Sequence, residues 1–144
     1  MAKYLSSSEK QTQQIARQLA KMVRQAHHKR KVFALTGELG AGKTIFVQGF
    51  AKGLGIKDKI ISPTFILIRQ HKIPDTTQTL YHIDLYRLED TKDFRHMGLK
   101  EILSDPNNIV LIEWAEKAKE LLPKNTVKIN ISKGDDQNRV IAIS

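Results

Sequence analysis

The eight residues Gly37 to Thr44, GELGAGKT, constrain this chain more than any other stretch. They sit between two apolar segments, KVFAL at 31–35 and IFVQGFAKGLG at 45–55. Three glycines, one lysine and one threonine in so short a span match G-x-x-x-x-G-K-[ST], with Gly37, Gly42, Lys43 and Thr44 at the defining positions. Each residue type has a physical task. Glycines let the backbone curl until successive N–H groups point inward at phosphate oxygens. The lysine sets an ammonium against the outer phosphates. The threonine hydroxyl suits Mg²⁺, and the helix that follows aims its positive end at the same place. A β-rich run before and a helical stretch after supply the context such a loop requires. The expected nucleotide-binding segment is therefore Gly37, Glu38, Leu39, Gly40, Ala41, Gly42, Lys43, Thr44 and Ile45.

The surrounding pattern predicts how this loop is carried. Ile15, Ala16, Leu19, Met22, Val23 and Ala26 share one helical face over residues 9–26, and serines at 6–8 ahead of Glu9 and Gln11 form a capping signal. A strand at KVFAL, the loop, and a helix from Lys43 to about Gly53 follow. Beyond Ile60, IISPTFILIRQHK contains a Ser-Pro break and then a strand, and TQTLYHIDLYRL reads as another, with IPDTTQ as the turn between them. Residues 90–104 read as one or two short helices interrupted at Gly98. NIVLIEW has the character of a buried strand, AEKAKELL is a turn or two of helix, and TVKINIS and RVIAIS form a terminal hairpin. Helices alternating with strands early, and strands pairing locally later, predict one α/β domain over 1–144. Its sheet is mixed: parallel near the loop, antiparallel toward the C-terminal hairpin, and covered by helices.

Binding a nucleotide is not hydrolysing it; a carboxylate must hold the metal and its water. Glu113 closes the aliphatic run IVLI, and Asp84 lies in YHIDLYR. Either could serve, or could be a charged residue where a strand meets solvent. Thr64 in SPTF lies where a hydroxyl can sense a terminal phosphate, or is an ordinary strand threonine. His82 and Arg87 flank Asp84. A histidine on a strand is more often packed than catalytic, and Arg87 is either an electrostatic clamp or a surface ion-pair member. Trp114, the single tryptophan, is either core or an aromatic lid beside the carboxylate.

Composition removes other chemistries. The chain has 144 residues and no cysteine, so disulfides, zinc–thiolate sites and thiol nucleophiles are excluded. The N-terminal residues lack an apolar signal core, and no aliphatic run approaches a membrane span, so a soluble cytoplasmic protein is expected. The formal charge of +9 favours polyanionic partners, or reflects composition alone. Its one tight cluster, HHKRK at 27–31, falls where a helix should end.

GELGAGKT, SPTF, YHIDLYRL and LIEW, in that order and near these spacings, resemble the bacterial TsaE family, older name YjeE. The resemblance runs from about Ser7 to the C-terminal hairpin. It implies a three-layer P-loop NTPase-like fold holding ATP and Mg²⁺, with weak ATPase activity that depends on partners. Members serve threonylcarbamoyladenosine formation in tRNA. They act with TsaB and TsaD, coupling hydrolysis to resetting of that assembly, and meet tRNA through it. Thr44 and Glu113 match the family's metal positions, and Asp84 its catalytic acid. Lys43 and Thr64 match the loop lysine and the switch segment, and Trp114 the tryptophan after the glutamate. Ser8 and Arg139 correspond to further nucleotide contacts. Ile45 departs from the pattern, since the family often has a second threonine there.

Two other readings share the loop. A small-molecule kinase commonly needs a lid with several arginines, and 86–105 offers only Arg87 and Arg95. A nucleic-acid module gripping backbone phosphate would bind without Mg-nucleotide and weaken steeply with salt.

Overall fold

The computed structural model describes residues 2–25, 31–38, 40–60, 68–86 and 98–144. Leu39, Thr64 with the rest of SPTF, Ala26, most of the HHKRK cluster and Arg87 lie outside the described residues, as does the first part of the helical stretch expected over 90–104.

The described elements run β1 (Ala2–Ser6), α1 (Glu9–Arg24), β2 (Val32–Thr36), α2 (Lys43–Gly53), β3 (Ile68–Lys72), β4 (Thr79–Asp84), α3 (Leu99–Ser104), β5 (Asn108–Glu113), a 3₁₀ segment (Ala115–Leu121), β6 (Val127–Lys133) and β7 (Arg139–Ile143). All strands join one sheet in the order β1-β7-β6-β2-β5-β4-β3. Its centre is parallel: β2 pairs with both β5 and β6, and β4 with β5. Both margins are antiparallel, through β6–β7–β1 on one side and β3–β4 on the other. The expected mixed sheet is thus present, with antiparallel pairing at both edges.

Alternation along the central strands builds the layers. Phe33 and Leu35 of β2, with Ile109 and Leu111 of β5, face the core shared with α1 and α2. Val32, Ala34, Val110 and Ile112 point the other way, against α3 and the 3₁₀ segment. A strand buried on both faces must be apolar throughout, which is why IVLI reads as a continuous run.

Helix α1 largely buries its expected face: Ala16 and Val23 are in the core, and Ile15 and Leu19 pack against it partly buried. Its buried residues are Thr12, Ala16, Ala20 and Val23, whereas Met22 is exposed. The cause is α2, whose Gly49 and Gly53 lie one turn apart against α1. A Cβ on Gly49 would sit 2.6 Å from the Gln13 Cα, and one on Gly53 would sit 2.7 Å from the Ala20 Cβ. Small residues on both helices permit this approach, which buries Ala16 and Ala20 while Met22 is left outside. β1 has no counterpart in the sequence reading. It is five residues long, largely exposed, and exists by pairing with β7. Among the described residues no helix is long and apolar enough to cross a membrane.

Candidate functional site

The carboxyl ends of β2, β4 and β5 lie side by side, the edge of a parallel sheet where ligands collect. Chain leaving β2 turns at once into the glycine-rich loop. Gly37, Gly40 and Gly42 have φ of 148°, 78° and 106°, conformations that side-chain-bearing residues rarely adopt. Gly37 is doubly required, because a Cβ there would overlap the Ile131 carbonyl oxygen of β6. Inside the loop the Ala41 N–H donates to the Glu38 carbonyl at 3.0 Å. Gly42 caps α2 with no side-chain hydrogen bond to the helix's first N–H groups. Those donors carry the positive end of the helix dipole.

Above the loop opens a cleft of about 470 Å³. It gathers Gly40, Ala41, Gly42, Lys43, Thr44 and Ile45 from the loop and α2, Asp84 and Tyr86 from the end of β4, and Glu113 and Trp114 from the end of β5. Ser8, Glu9 and Thr12 join from the start of α1, Gln137 from the β6–β7 turn and Arg139 from the first position of β7. Most of the residues singled out from the sequence therefore meet in one space. Gly37 and Glu38 lie beside it and contribute through their carbonyls. Leu39, Thr64 and Arg87 are outside the described residues.

Lys43 is buried. Its Nζ donates to the Gly37 carbonyl at 2.7 Å and lies 4.0 Å from the centre of the Trp114 ring. Trp114 is held with φ at 58° and packs on Tyr86, their ring centres 5.0 Å apart. Lys117 donates to the Tyr86 carbonyl from beyond. The tryptophan is therefore neither simple core nor free surface; it roofs the loop lysine.

Asp84 and Glu113 are register partners on adjacent strands, both buried. One oxygen of each is engaged by the protein. The Tyr86 N–H donates to Asp84 Oδ1 at 2.9 Å, and His82 Nε2 lies 2.7 Å from Glu113 Oε2. Burial raises the Asp84 carboxyl above its ordinary value. The hydrogen bond from Tyr86 opposes that rise, the neighbouring Glu113 adds to it, and His82 and Lys43 oppose it more weakly.

Ser8 caps α1, its hydroxyl accepting from the Gln11 N–H at 3.1 Å. Arg139 is committed to backbone: its Nε donates to the Ala41 carbonyl at 2.9 Å and its Nη1 to the Asn138 carbonyl at 2.8 Å. It braces the loop from the hairpin as well as lining the cleft. Glu9, Thr12, Tyr86 and Gln137 were not anticipated as lining residues. Glu9 and Tyr86 lie inside patterns read for other reasons, the α1 capping signal and YHIDLYRL, whereas Thr12 and Gln137 carry no local pattern.

The donor set suits a magnesium–phosphate group. Among the described residues no cluster of three or more histidine, cysteine or acidic side chains could hold a metal unaided. A hydroxyl and two carboxylates beside a phosphate cradle are what Mg²⁺ uses, since it shares its coordination with waters and phosphates.

A parallel-centred sheet that delivers a glycine-rich loop directly into a helix, with carboxylates ending neighbouring strands, defines a P-loop NTPase-like α/β protein. The chain superposes on the crystal structure of Bacillus subtilis YdiB with a TM-score of 0.73 and 30% identity, covering 99% of this chain and 83% of that one. Within that class the chain belongs to the TsaE family: the family model described as threonylcarbamoyl adenosine biosynthesis protein TsaE matches residues 6–141. Relatives called tRNA threonylcarbamoyladenosine biosynthesis protein TsaE include that of Rickettsia bellii, 37% identical over 96% of this chain and 91% of its own. That of Treponema pallidum is 42% identical over 78% and 81%. That of Bacillus subtilis is 41% identical over 78% and 68%.

Proposed function

We propose that this protein is a Mg²⁺-dependent ATP-binding and ATP-hydrolysing subunit for threonylcarbamoyladenosine formation on tRNA, working in the cytoplasm with TsaB and TsaD. The observation that carries the chemical part is one cleft in which loop backbone, a buried lysine and two strand-end carboxylates converge. The names borne by the relatives support the pathway.

In this reading the triphosphate lies along Gly37–Thr44, its outer oxygens taking the N–H groups at the start of α2. Lys43 exchanges the Gly37 carbonyl and the Trp114 ring for the outer phosphates. Thr44 and Glu113 would hold Mg²⁺, which would supply neutralisation of charge on the phosphates. Asp84, next to Glu113 and held by the Tyr86 N–H, orients the attacking water. Thr64 belongs to the segment that responds to the terminal phosphate. Arg139 fixes the loop through Ala41, while Trp114 and Arg87 offer a lid or a surface for partners. No arginine is assigned to the transferring phosphate, so hydrolysis by the isolated protein is slow until a partner completes the site.

Trp114 supplies its own probe, being the only tryptophan in the chain and lying 4.0 Å from Lys43 Nζ. Titration with Mg-ATP should change its fluorescence saturably, with matching heat in calorimetry, and Lys43→Ala should abolish both. A wild-type protein that gives neither heat nor a fluorescence change disproves the reading. Turnover with and without TsaB–TsaD tests the partnership, and a product phosphorylated on an added nucleoside would mean a kinase instead.

A further inference from the structure

His82 lies in the middle of the site's scaffold yet does not line the cleft. It is fully buried in β4, on the strand face it shares with Leu80 and Asp84. Its Nε2 is 2.7 Å from Glu113 Oε2, and its Nδ1 has no hydrogen-bond partner among the described residues. A buried polar atom without a partner costs free energy, so a ring serving only as packing is poorly chosen here. In this contact the carboxylate oxygen accepts and Nε2–H donates.

The consequence falls on Glu113. Its backbone is set by β5 between β2 and β4, but its side chain has three torsions and could reach several positions. Oε2 is anchored by His82, and Glu113 lines the cleft. Asp84 is treated in the same way: Oδ1 takes the Tyr86 N–H and Oδ2 remains. Among the described residues each carboxylate thus has a hydrogen bond at one oxygen only, and both residues line the cleft.

We infer that His82 is the positioning residue for the metal carboxylate: through Nε2–H it locks Glu113 so that its remaining oxygen meets Mg²⁺ in the cleft. The inference rests on the proposed Mg²⁺–ATP reading. His82 touches neither nucleotide nor metal and acts only through Glu113. Removing such an outer partner commonly weakens metal binding by about 10–100-fold.

Two amide substitutions separate positioning from mere filling of space. In His82→Gln the amide nitrogen comes near the place of Nε2; in His82→Asn it reaches only the place of Nδ1. ATP binding is titrated by calorimetry at graded Mg²⁺ and in EDTA, with thermal melting as the folding control. His82→Asn should need about tenfold more Mg²⁺ to enhance ATP binding, with EDTA affinity unchanged. His82→Gln should stay near wild type. Equal Mg²⁺ dependence in His82→Asn and wild type overturns the role of His82 and leaves the proposed function standing. Mg²⁺-independent ATP binding by the wild type removes both. If His82→Asn does not fold, the wild-type imidazole ¹⁵N resonances decide. Adding Mg-ADP should shift Nε2 relative to ADP alone, and an unmoved Nε2 overturns the assignment.

Discussion

At the residue scale the site is built from groups held in unfavourable settings. Asp84 is a carboxylate whose burial makes its charged form costly. Its folded-state value lies above the ordinary 3.8, so the folded protein holds that proton more tightly than the unfolded chain does. The stability tied to the proton is complete below 3.8 and is lost as pH rises through the raised value. Asp84→Asn keeps an acceptor for the Tyr86 N–H and removes the charge. Melting curves across pH should show the variant gaining on wild type as pH climbs toward neutrality, and constant difference across that range would refute the burial account. The same variant should lose hydrolysis. Lys43 and Trp114 are likewise held in settings with a cost, a buried ammonium and a left-handed tryptophan, and their mutual contact partly offsets it.

At the element scale, the seam between α1 and α2 sets where the loop can stand. Gly49 and Gly53 let the two helices touch backbone to backbone, which brings Ser8 and Glu9 of α1 to the mouth of a cleft that α2 opens. Alanine favours an isolated helix by about 1 kcal/mol over glycine. At Gly49 the added methyl would meet Gln13 backbone, whose Cα is 2.6 Å away. Overpacking of that kind costs about 1–3 kcal/mol, so Gly49→Ala should lower stability in urea despite its better propensity. An unchanged or higher midpoint would show that the seam can spread. This seam also explains where the expected α1 face ends. Periodicity marks where apolar residues are, but a neighbour lined with glycine selects small side chains over large ones, so Ala16 and Ala20 go inside while Met22 stays out.

At the scale of the molecule, the cleft draws on α1, the loop and α2, the ends of β4 and β5, and the β6–β7 turn, so a ligand there ties together segments from both ends of the chain. Mg-ATP at about 100 times its dissociation constant should stabilise the fold by about 2.7 kcal/mol. For a protein of this size that is a rise in melting temperature of roughly 5–10 °C, absent in Lys43→Ala. The loop, its flanking strand and helix, and the two carboxylates were legible in the sequence because each is a local pattern: glycines, a lysine and apolar runs whose meaning does not depend on distant chain. The terminal hairpin was legible for the same reason. β1 was not, since a largely exposed five-residue strand is defined by its partner β7 rather than by its own composition. Nor was the His82–Glu113 bond, which joins residues 31 apart that only parallel pairing of β4 and β5 brings to one end of the sheet. By itself the sequence determined what kind of glycine-rich, lysine-bearing loop this chain makes, because backbone freedom and charge are properties of neighbouring residues. Which side chains surround that loop, and which oxygen of each carboxylate the protein engages, was decided only by strand register and helix packing, because those follow from contacts between residues far apart along the chain.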